Sequence, residues 1–260
     1  MNTILSKYHI DSEINRGTFG KIYSARNKIT KDTVAIKIEE QENSLIKNEA
    51  RIYQYLGKIK GIANLRMFLS DDKYQYLIID LLGESLKSYK ERNPNITVEK
   101  IFNICKQLTN ILESIHNKGI VHRDIKPQNI VFDHEYKNIF LIDFGFSKKI
   151  CDPGKSKENF YHIKEKTISK IIGTPNYISV NVHRLIEPSK RDDLESMIYV
   201  LLFLMLDKLP WHNKDIEEIC QIKEYMIYSS YNIRLINILK YIRELKLEQQ
   251  PNYNNIVNLL

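Results

Sequence analysis

Eight consecutive residues constrain this chain more than any other feature. They are His122-Arg123-Asp124-Ile125-Lys126-Pro127-Gln128-Asn129, with Asp143-Phe144-Gly145 beginning fourteen residues after Asn129. Asp124 can accept the proton of a substrate hydroxyl, and Asn129, five residues on, can bind a metal ion. Lys126 can neutralise charge on a phosphate in flight. The carboxylate of Asp143 can chelate a Mg2+ ion that bridges phosphates. Phosphoryl transfer leaves a protein little covalent chemistry to perform, so positioning and charge neutralisation carry the catalysis. Chance occurrence of the whole string at this distance from Asp-Phe-Gly is negligible.

Two weaker signals precede it. Ile14-Asn15-Arg16-Gly17-Thr18-Phe19-Gly20 lies between two strand candidates, and glycines there let backbone approach phosphates closely. A complete loop of this kind would have glycine at Asn15, and two glycines in a hairpin are commonly only a turn. One strand later, Val34-Ala35-Ile36-Lys37 ends an apolar run with an ammonium that can reach the α- and β-phosphates. That lysine needs an acidic partner. Glu49, on the following helix, is the best placed, and Glu39, Glu40 and Glu42 are rivals that precede the helix.

The first eighty residues read mainly as strands: Tyr8 to Glu13, Lys21 to Arg26, Thr33 to Glu39 and Tyr74 to Leu81. Ser44 can cap a helix running to about Leu56, with Leu45, Ile46, Glu49, Ile52 and Tyr53 at helical spacing. After Gly83 the pattern turns helical. Thr97 is a candidate cap for a helix whose stripe is Ile101, Ile104, Cys105, Leu108, Ile111, Leu112 and Ile115, ended by Gly119. Short strands are expected at Ile130 to Phe132 and Ile139 to Ile142, and helices from Asp193 onward. This predicts an α+β chain of residues 1–260 as one domain. A small β-rich lobe to about residue 79 would carry one main helix, with a hinge at about 80–84 and a larger, mostly helical lobe at about 85–260.

The 260 residues are 43% hydrophobic, enough for a real core. The most apolar run, Met197 to Leu206, is half the length a membrane span needs, so a buried helix is expected and no membrane association. The three cysteines, Cys105, Cys151 and Cys220, form no CxxC pair. With no signal peptide, this points to an intracellular chain of cytoplasm or nucleus. A net charge of +7 attracts nucleic acid, anionic lipid, ATP or acidic proteins alike. No basic run is interleaved with aromatics, so specific nucleic-acid binding is not expected. Between Lys148 and Lys170 seven lysines face three acids, which suits either a solvated loop or a docking surface for acidic substrates.

The ordered set of glycine loop, Val-Ala-Ile-Lys, helix glutamate, His-Arg-Asp string and Asp-Phe-Gly resembles the eukaryotic protein kinases over nearly the whole chain. Within them it is most similar to the casein kinase 1 family. The matching pieces are Leu81-Leu82-Gly83-Glu84-Ser85-Leu86, Ser179-Val180-Asn181, Lys190-Arg191-Asp192-Asp193-Leu194-Glu195-Ser196 and Leu209-Pro210-Trp211. The vaccinia-related kinases share part of this pattern. The resemblance implies a bilobal serine/threonine kinase that uses ATP with Mg2+, or Mn2+ as an alternative, on protein substrates, as a monomer. Asp124, Lys126 and Asn129 would be catalytic, and Asn129 and Asp143 would hold the metal. ATP would lie against Ile14, Gly17, Gly20, Ile22, Ala35, Lys37 and Glu49. Ile79 would set the depth of the adenine pocket, with backbone groups of Asp80 and Leu82 pairing the base. Asp193 would begin a central buried helix and hold the catalytic-loop backbone. Lys126 and Thr174 look like the serine/threonine class.

Departures from the family pattern shape the expectations. Asn176 stands where an arginine usually helps bind an anion, and Asn213 where a glycine follows the tryptophan. A weak dependence on priming phosphate is therefore expected, with Lys223 as a partial substitute for the arginine. The chain stops soon after Gln250-Pro251-Asn252-Tyr253, so no regulatory tail is expected. A catalytically idle scaffold is the competing reading, disfavoured because Lys37, Glu49, Asp124, Asn129 and Asp143 are all present. A nucleic-acid module rests on charge alone.

Overall fold

The computed structural model describes residues 2–16, 20–152, 161–162, 166–206, 208–228 and 233–260. Five antiparallel strands form the first sheet: β1 (Tyr8–Arg16), β2 (Gly20–Asn27), β3 (Thr33–Glu40), β4 (Leu65–Ser70) and β5 (Tyr74–Asp80), in the order β1-β2-β3-β5-β4. Central β3 and β5 are largely buried along both faces, as strands covered on both sides are. One face packs Ala25, Val34, Ile36, Tyr76 and Ile78 with Ile4 and Tyr8. Ile4 comes from a short N-terminal helix, α1 (Asn2–Lys7), which the polar and apolar mixture of the first residues did not announce. Edge strand β4 was also unread, because its residues are mostly half-buried and show no clean alternation.

Helix α2 (Ile46–Leu56) lies behind the other face and buries Ile46, Glu49, Ala50, Ile52, Tyr53 and Leu56. Its start differs from the expected Ser44 cap. Leu45 occupies the cap position, while Ser44 Oγ accepts from the Ile46 amide at 3.1 Å and Glu39 Oε2 from the Leu45 amide at 2.8 Å. Two side chains thus share the orphan amides of the first turn.

The chain then leaves the sheet. Gly83 donates its amide to the Phe132 carbonyl at 2.8 Å, and a Cβ there would lie 2.9 Å from the carbonyls of Phe132 and Asp133, so glycine is required. Helix α3 (Leu86–Arg92) follows, capped by Ser85, then α4 (Val98–Asn117), capped by Thr97 as read from the sequence. All seven residues of the predicted α4 stripe are buried, and Gly119, at φ 74°, lies just past the helix end. Strands β6 (Ile120–Val121), β7 (Ile130–Phe132), β8 (Ile139–Leu141) and β9 (Lys148–Lys149) pair as β6-β9 and β7-β8. The loops 122–129 and 142–147 run between these paired strands, which sets them side by side.

After α5 (Val180–His183), the central helix α6 (Lys190–Met205) is buried on nearly all sides. It begins at Lys190, three residues before the expected Asp193. The Ser189 amide donates to Asp192 Oδ2 at 2.7 Å, one arm of a Ser-x-x-Asp capping box legible in the sequence. Helices α7 (Ile216–Tyr225), α8 (Ile233–Glu244) and α9 (Tyr253–Leu259) complete the described fold. Among the described residues no helix is long and apolar enough to cross a membrane.

Candidate active site

Strand register places four predicted residues on one sheet face. Ala35 and Lys37 are two residues apart on β3. Ile79 sits opposite Ala35, and Ile22 opposite Lys37; cross-strand partners share a face. Ile14 is exposed on β1, and Asp80 and half-buried Leu82 stand where the chain leaves β5. The Asp80 carboxylate pairs with Arg66 Nε at 2.6 Å, which turns it toward β4. Gly20 opens β2 where a Cβ would lie 2.0 Å from the Ile38 carbonyl, so no side chain fits. Gly17 lies outside the described residues.

Lys37 is the electrostatic centre of that face. Its Nζ donates to Glu49 Oε2 at 2.9 Å and to Asp143 Oδ1 at 3.1 Å, and lies 3.2 Å from Glu39 Oε1. The predicted partner Glu49 and the rival Glu39 therefore both engage it. Burial alone would lower the lysine, but the three carboxylates outweigh burial and hold its pKa well above the ordinary range. Glu49 is pushed up to about 7 by burial, with Lys37 opposing and Asp143 adding to the rise. Burial pushes the Asp143 carboxyl up as well, yet Lys37 outweighs it and holds the group below the usual value. Glu49 Oε1 also accepts from the Phe144 amide at 3.2 Å, and Asn48 Nδ2 donates to the carbonyls of Gly145 (2.9 Å) and Ser147 (3.1 Å). Helix α2 is thereby docked on the Asp-Phe-Gly segment, and Asn48 is a member that sequence reasoning missed.

The 122–129 loop is hung from α6. Asp193 accepts the His122 amide at 2.7 Å and the Arg123 amide at 2.9 Å, as the resemblance implied. Its Oδ2 also accepts from His116 Nε2 at 3.0 Å, and His116 Nδ1 lies 2.7 Å from the Tyr253 hydroxyl. Burial lowers His116 against the pull of Asp193, so the ring is neutral: Nε2–H donates and Nδ1 accepts. His122 bridges the two loops, with Nε2 donating to the Ile142 carbonyl at 3.0 Å and its ring edge-on to Phe144. Arg123 and Asp143 both adopt left-handed backbone, φ 70° and 66°. Such conformations are costly for non-glycine residues and persist where the surroundings over-determine them.

Asp124 is buried with its carboxylate fully engaged. Oδ1 accepts from Thr174 Oγ1 at 2.8 Å, and Oδ2 lies 2.7 Å from Lys126 Nζ and 3.1 Å from Asn129 Nδ2. Lys126 Nζ also donates to Thr174 Oγ1 at 3.1 Å. Asn129 Nδ2 donates to the Asp124 carbonyl too, at 2.9 Å, which leaves the amide oxygen as the atom for other partners. A carboxylate, an ammonium and a hydroxyl thus meet at one point, where a substrate hydroxyl can replace that of Thr174. Gly173, at φ 95°, lets the segment pass: a Cβ would lie 2.6 Å from the Arg123 carbonyl.

The lysine-rich stretch resolves into pinned and exposed members. Buried Glu187 draws in Lys148 (2.9 Å), Arg123 (3.3 Å) and Lys166 (3.7 Å). Lys149 packs over the Tyr55 ring and Lys170 is exposed, while Lys155, Lys157 and Lys164 lie outside the described residues. Lys223 corrects the sequence reading. It is fully buried with its ammonium on protein carbonyls, so it does not stand in for an anion-binding arginine. Asn213 has φ 61°, and asparagine is among the few side chains that fill such a glycine-favouring position.

Asn15 lies on β1 opposite Ile22, outside the left-handed region, and its Oδ1 accepts from the Arg16 amide at 2.8 Å. The backbone here does not require glycine, and the side-chain contact is exposed. Asn15→Gly should keep turnover within about threefold of the parent or raise it, a change worth less than a typical net hydrogen bond. A tenfold loss in steady-state kinetics would assign Asn15 a role of its own.

Comparison with known proteins agrees with this geometry. A family described as "Protein kinase domain" matches residues 8–260. A probable casein kinase I homolog of Encephalitozoon cuniculi (strain GB-M1) is 35% identical over 272 aligned residues, covering 97% of this chain and 83% of the relative. With the Lys37–Glu49–Asp143 and Asp124–Lys126–Asn129 groups assembled on a sheet lobe and a helical lobe, the chain belongs to the eukaryotic protein kinases, as a serine/threonine kinase of the casein kinase I family.

Proposed function

We propose that this kinase phosphorylates serine or threonine in acidic protein segments and discriminates weakly between primed and unprimed sites. Protein kinases use ATP and a divalent metal, and the residues here fit a hard cation: Asp143 offers a carboxylate and Asn129 an amide oxygen whose NH2 is already engaged. In this reading the metal is Mg2+. Asp143 and Asn129 would hold it, and it would supply neutralisation of the phosphate charge. Lys37, fixed by Glu49, orients the α- and β-phosphates. The adenine lies against Ile14, Ile22, Ala35 and Ile79, beside Asp80 and Leu82, with Gly17 and Gly20 over the phosphates. Asp124 orients the acceptor hydroxyl and takes its proton, while Lys126 steadies the transferring group. The assembly of Lys37, Glu49, Asp124, Asn129 and Asp143 into these two groups favours this over an idle scaffold. Exposed Lys170 and the net charge of +7 favour acidic substrates. The single domain, a monomeric state and an intracellular setting belong to the same proposal.

The observation that carries weak priming is the state of the nearby cations. The groove of about 730 Å3 beside Thr174 is lined by Pro175, Asn176, Lys214, Asp215 and Glu217. Lys214 is paired with Glu218 at 2.9 Å, Lys223 is sequestered, and Arg123 and Lys148 are both turned onto the single carboxylate of Glu187, which offsets only part of their charge. An arginine fork would bind phosphate through two charge-assisted bonds, whereas the Asn176 amide is neutral. Hydrogen bonds to charged groups contribute roughly 1.5–3 kcal/mol, so one missing contact cuts selectivity about tenfold or more. Matched peptides differing only by a phosphoserine three residues before the target serine should give kcat/KM values within about tenfold. A primed peptide favoured far beyond that would refute the proposal. Asn176→Arg is expected to raise the ratio while leaving turnover on the unprimed peptide nearly unchanged.

A further inference from the structure

Lys223 sits within α7 at 0% exposure, where a lysine persists only with acceptors for its charge. Its Nζ donates to the carbonyls of Pro175 and Ile178, both at 2.8 Å, and lies 3.2 Å from His183 Nε2. The ring centroids of Tyr199 and Trp211 are 4.5 and 5.0 Å away. Three donors therefore meet three acceptors, between two aromatic faces that favour a cation. Trp211 adds a fourth tie, Nε1 donating to the Asn176 carbonyl at 3.0 Å. Carbonyls of Pro175, Asn176 and Ile178 are thus held from behind. At the front of the same segment, Thr174 reaches the Asp124 carboxylate at 2.8 Å.

We infer that Lys223 is a positioning residue for protein-substrate binding, its buried ammonium fixing the 174–178 backbone against which the phosphorylated polypeptide lies. The inference rests on the reading of Asp124 and Thr174 as the hydroxyl side of the site. It touches neither nucleotide nor acceptor, so its loss should separate peptide from ATP kinetics. Burial also pulls Lys223 well below the ordinary lysine range. The groups facing it are His183 on α5, Glu195 and Tyr199 on α6, Cys220 on α7 and Arg243 on α8. His183 is pushed down to about 4 by burial and by the Lys223 charge, so it stays a neutral acceptor. Glu195 is already held by Arg243 at 2.9 Å. Because the Lys223 pKa is lowered, its ammonium contacts are present at lower pH and are lost as pH rises through that pKa.

The test is steady-state kinetics of the full chain and its Lys223→Met variant, with an acidic serine peptide and with ATP hydrolysis in the absence of peptide. The peptide KM is expected to rise about tenfold or more, the scale of lost charged hydrogen bonds, with ATP KM and peptide-independent hydrolysis within about twofold. The parent's peptide KM should also rise as pH is raised toward the ordinary lysine value, and the variant should lack that rise. An unchanged peptide KM in the variant, or equal losses in hydrolysis and transfer, would overturn the inference. If Lys223→Met fails to fold, the parent's pH series decides: a flat peptide KM is equally fatal. Asp124→Asn is the control. A variant there with near-full activity faults the site reading itself, whereas a dead Asp124→Asn beside a silent Lys223→Met faults only the role of Lys223.

Discussion

Asp124→Asn should lower kcat by about 10²- to 10⁴-fold, the usual worth of a positioned general base, while ATP affinity changes little. The geometry explains both halves. The two carboxylate oxygens of Asp124 accept from different partners, Thr174 on one and Lys126 with Asn129 on the other. An asparagine has one oxygen, so its amide nitrogen must face either a hydroxyl or an ammonium, and the site loses its proton acceptor. The nucleotide side stays built, because Lys37 is held by Glu49, Glu39 and Asp143. Asn129 also keeps its bond to the backbone carbonyl of residue 124. Peptide kinetics at saturating ATP, with ATP KM measured alongside, check this. Near-full kcat would remove Asp124 from the chemistry.

What could be read in advance was set by local spacing. Asp124, Lys126 and Asn129 lie within one turn-rich loop, so their order in sequence already fixes most of their geometry. Thr97, the α4 stripe and Gly119 were legible because helix period and caps are local rules. Glu49 is readable as the partner of Lys37 from its place on the next helix, but the contact of Lys37 with Asp143 is not, since no spacing rule spans the 106 residues between them. The misread parts share a cause. Lys223 looks like any surface lysine in sequence, and its burial follows from Tyr199, Trp211 and the 174–178 carbonyls arriving from elsewhere. Glu187 gives no hint that three cations converge on it. Glu39 was set aside for preceding the helix, yet strand alternation puts it on the same face as Lys37, two residues away, a signal that period two would have supplied.

The second large effect is at Lys37, where the structure makes coupling asymmetric. Lys37→Met should cost roughly 10²- to 10³-fold in kcat, the scale for removing one electrostatic stabiliser of a transition state. Three carboxylates converge on this one ammonium, so its removal leaves Glu39, Glu49 and Asp143 facing one another. Glu49→Gln should cost less, because Glu39 and Asp143 still hold the lysine, although α2 loses its grip on the Phe144 amide. The double variant should cost much less than the product of the two single losses, since each residue acts through the other. Glu49 adds a pH signature. Burial raises it to about 7, so its charged form and the ion pair are present above that pH and fade as pH falls through it. The kcat/KM for ATP, which reports the free enzyme, should therefore drop on the acid side near pH 7 in the parent. In Glu49→Gln that limb should be flat, at a lower plateau. Strict additivity in the cycle, together with an acid limb that survives in Glu49→Gln, would show that the pair is not the unit that orients the phosphates.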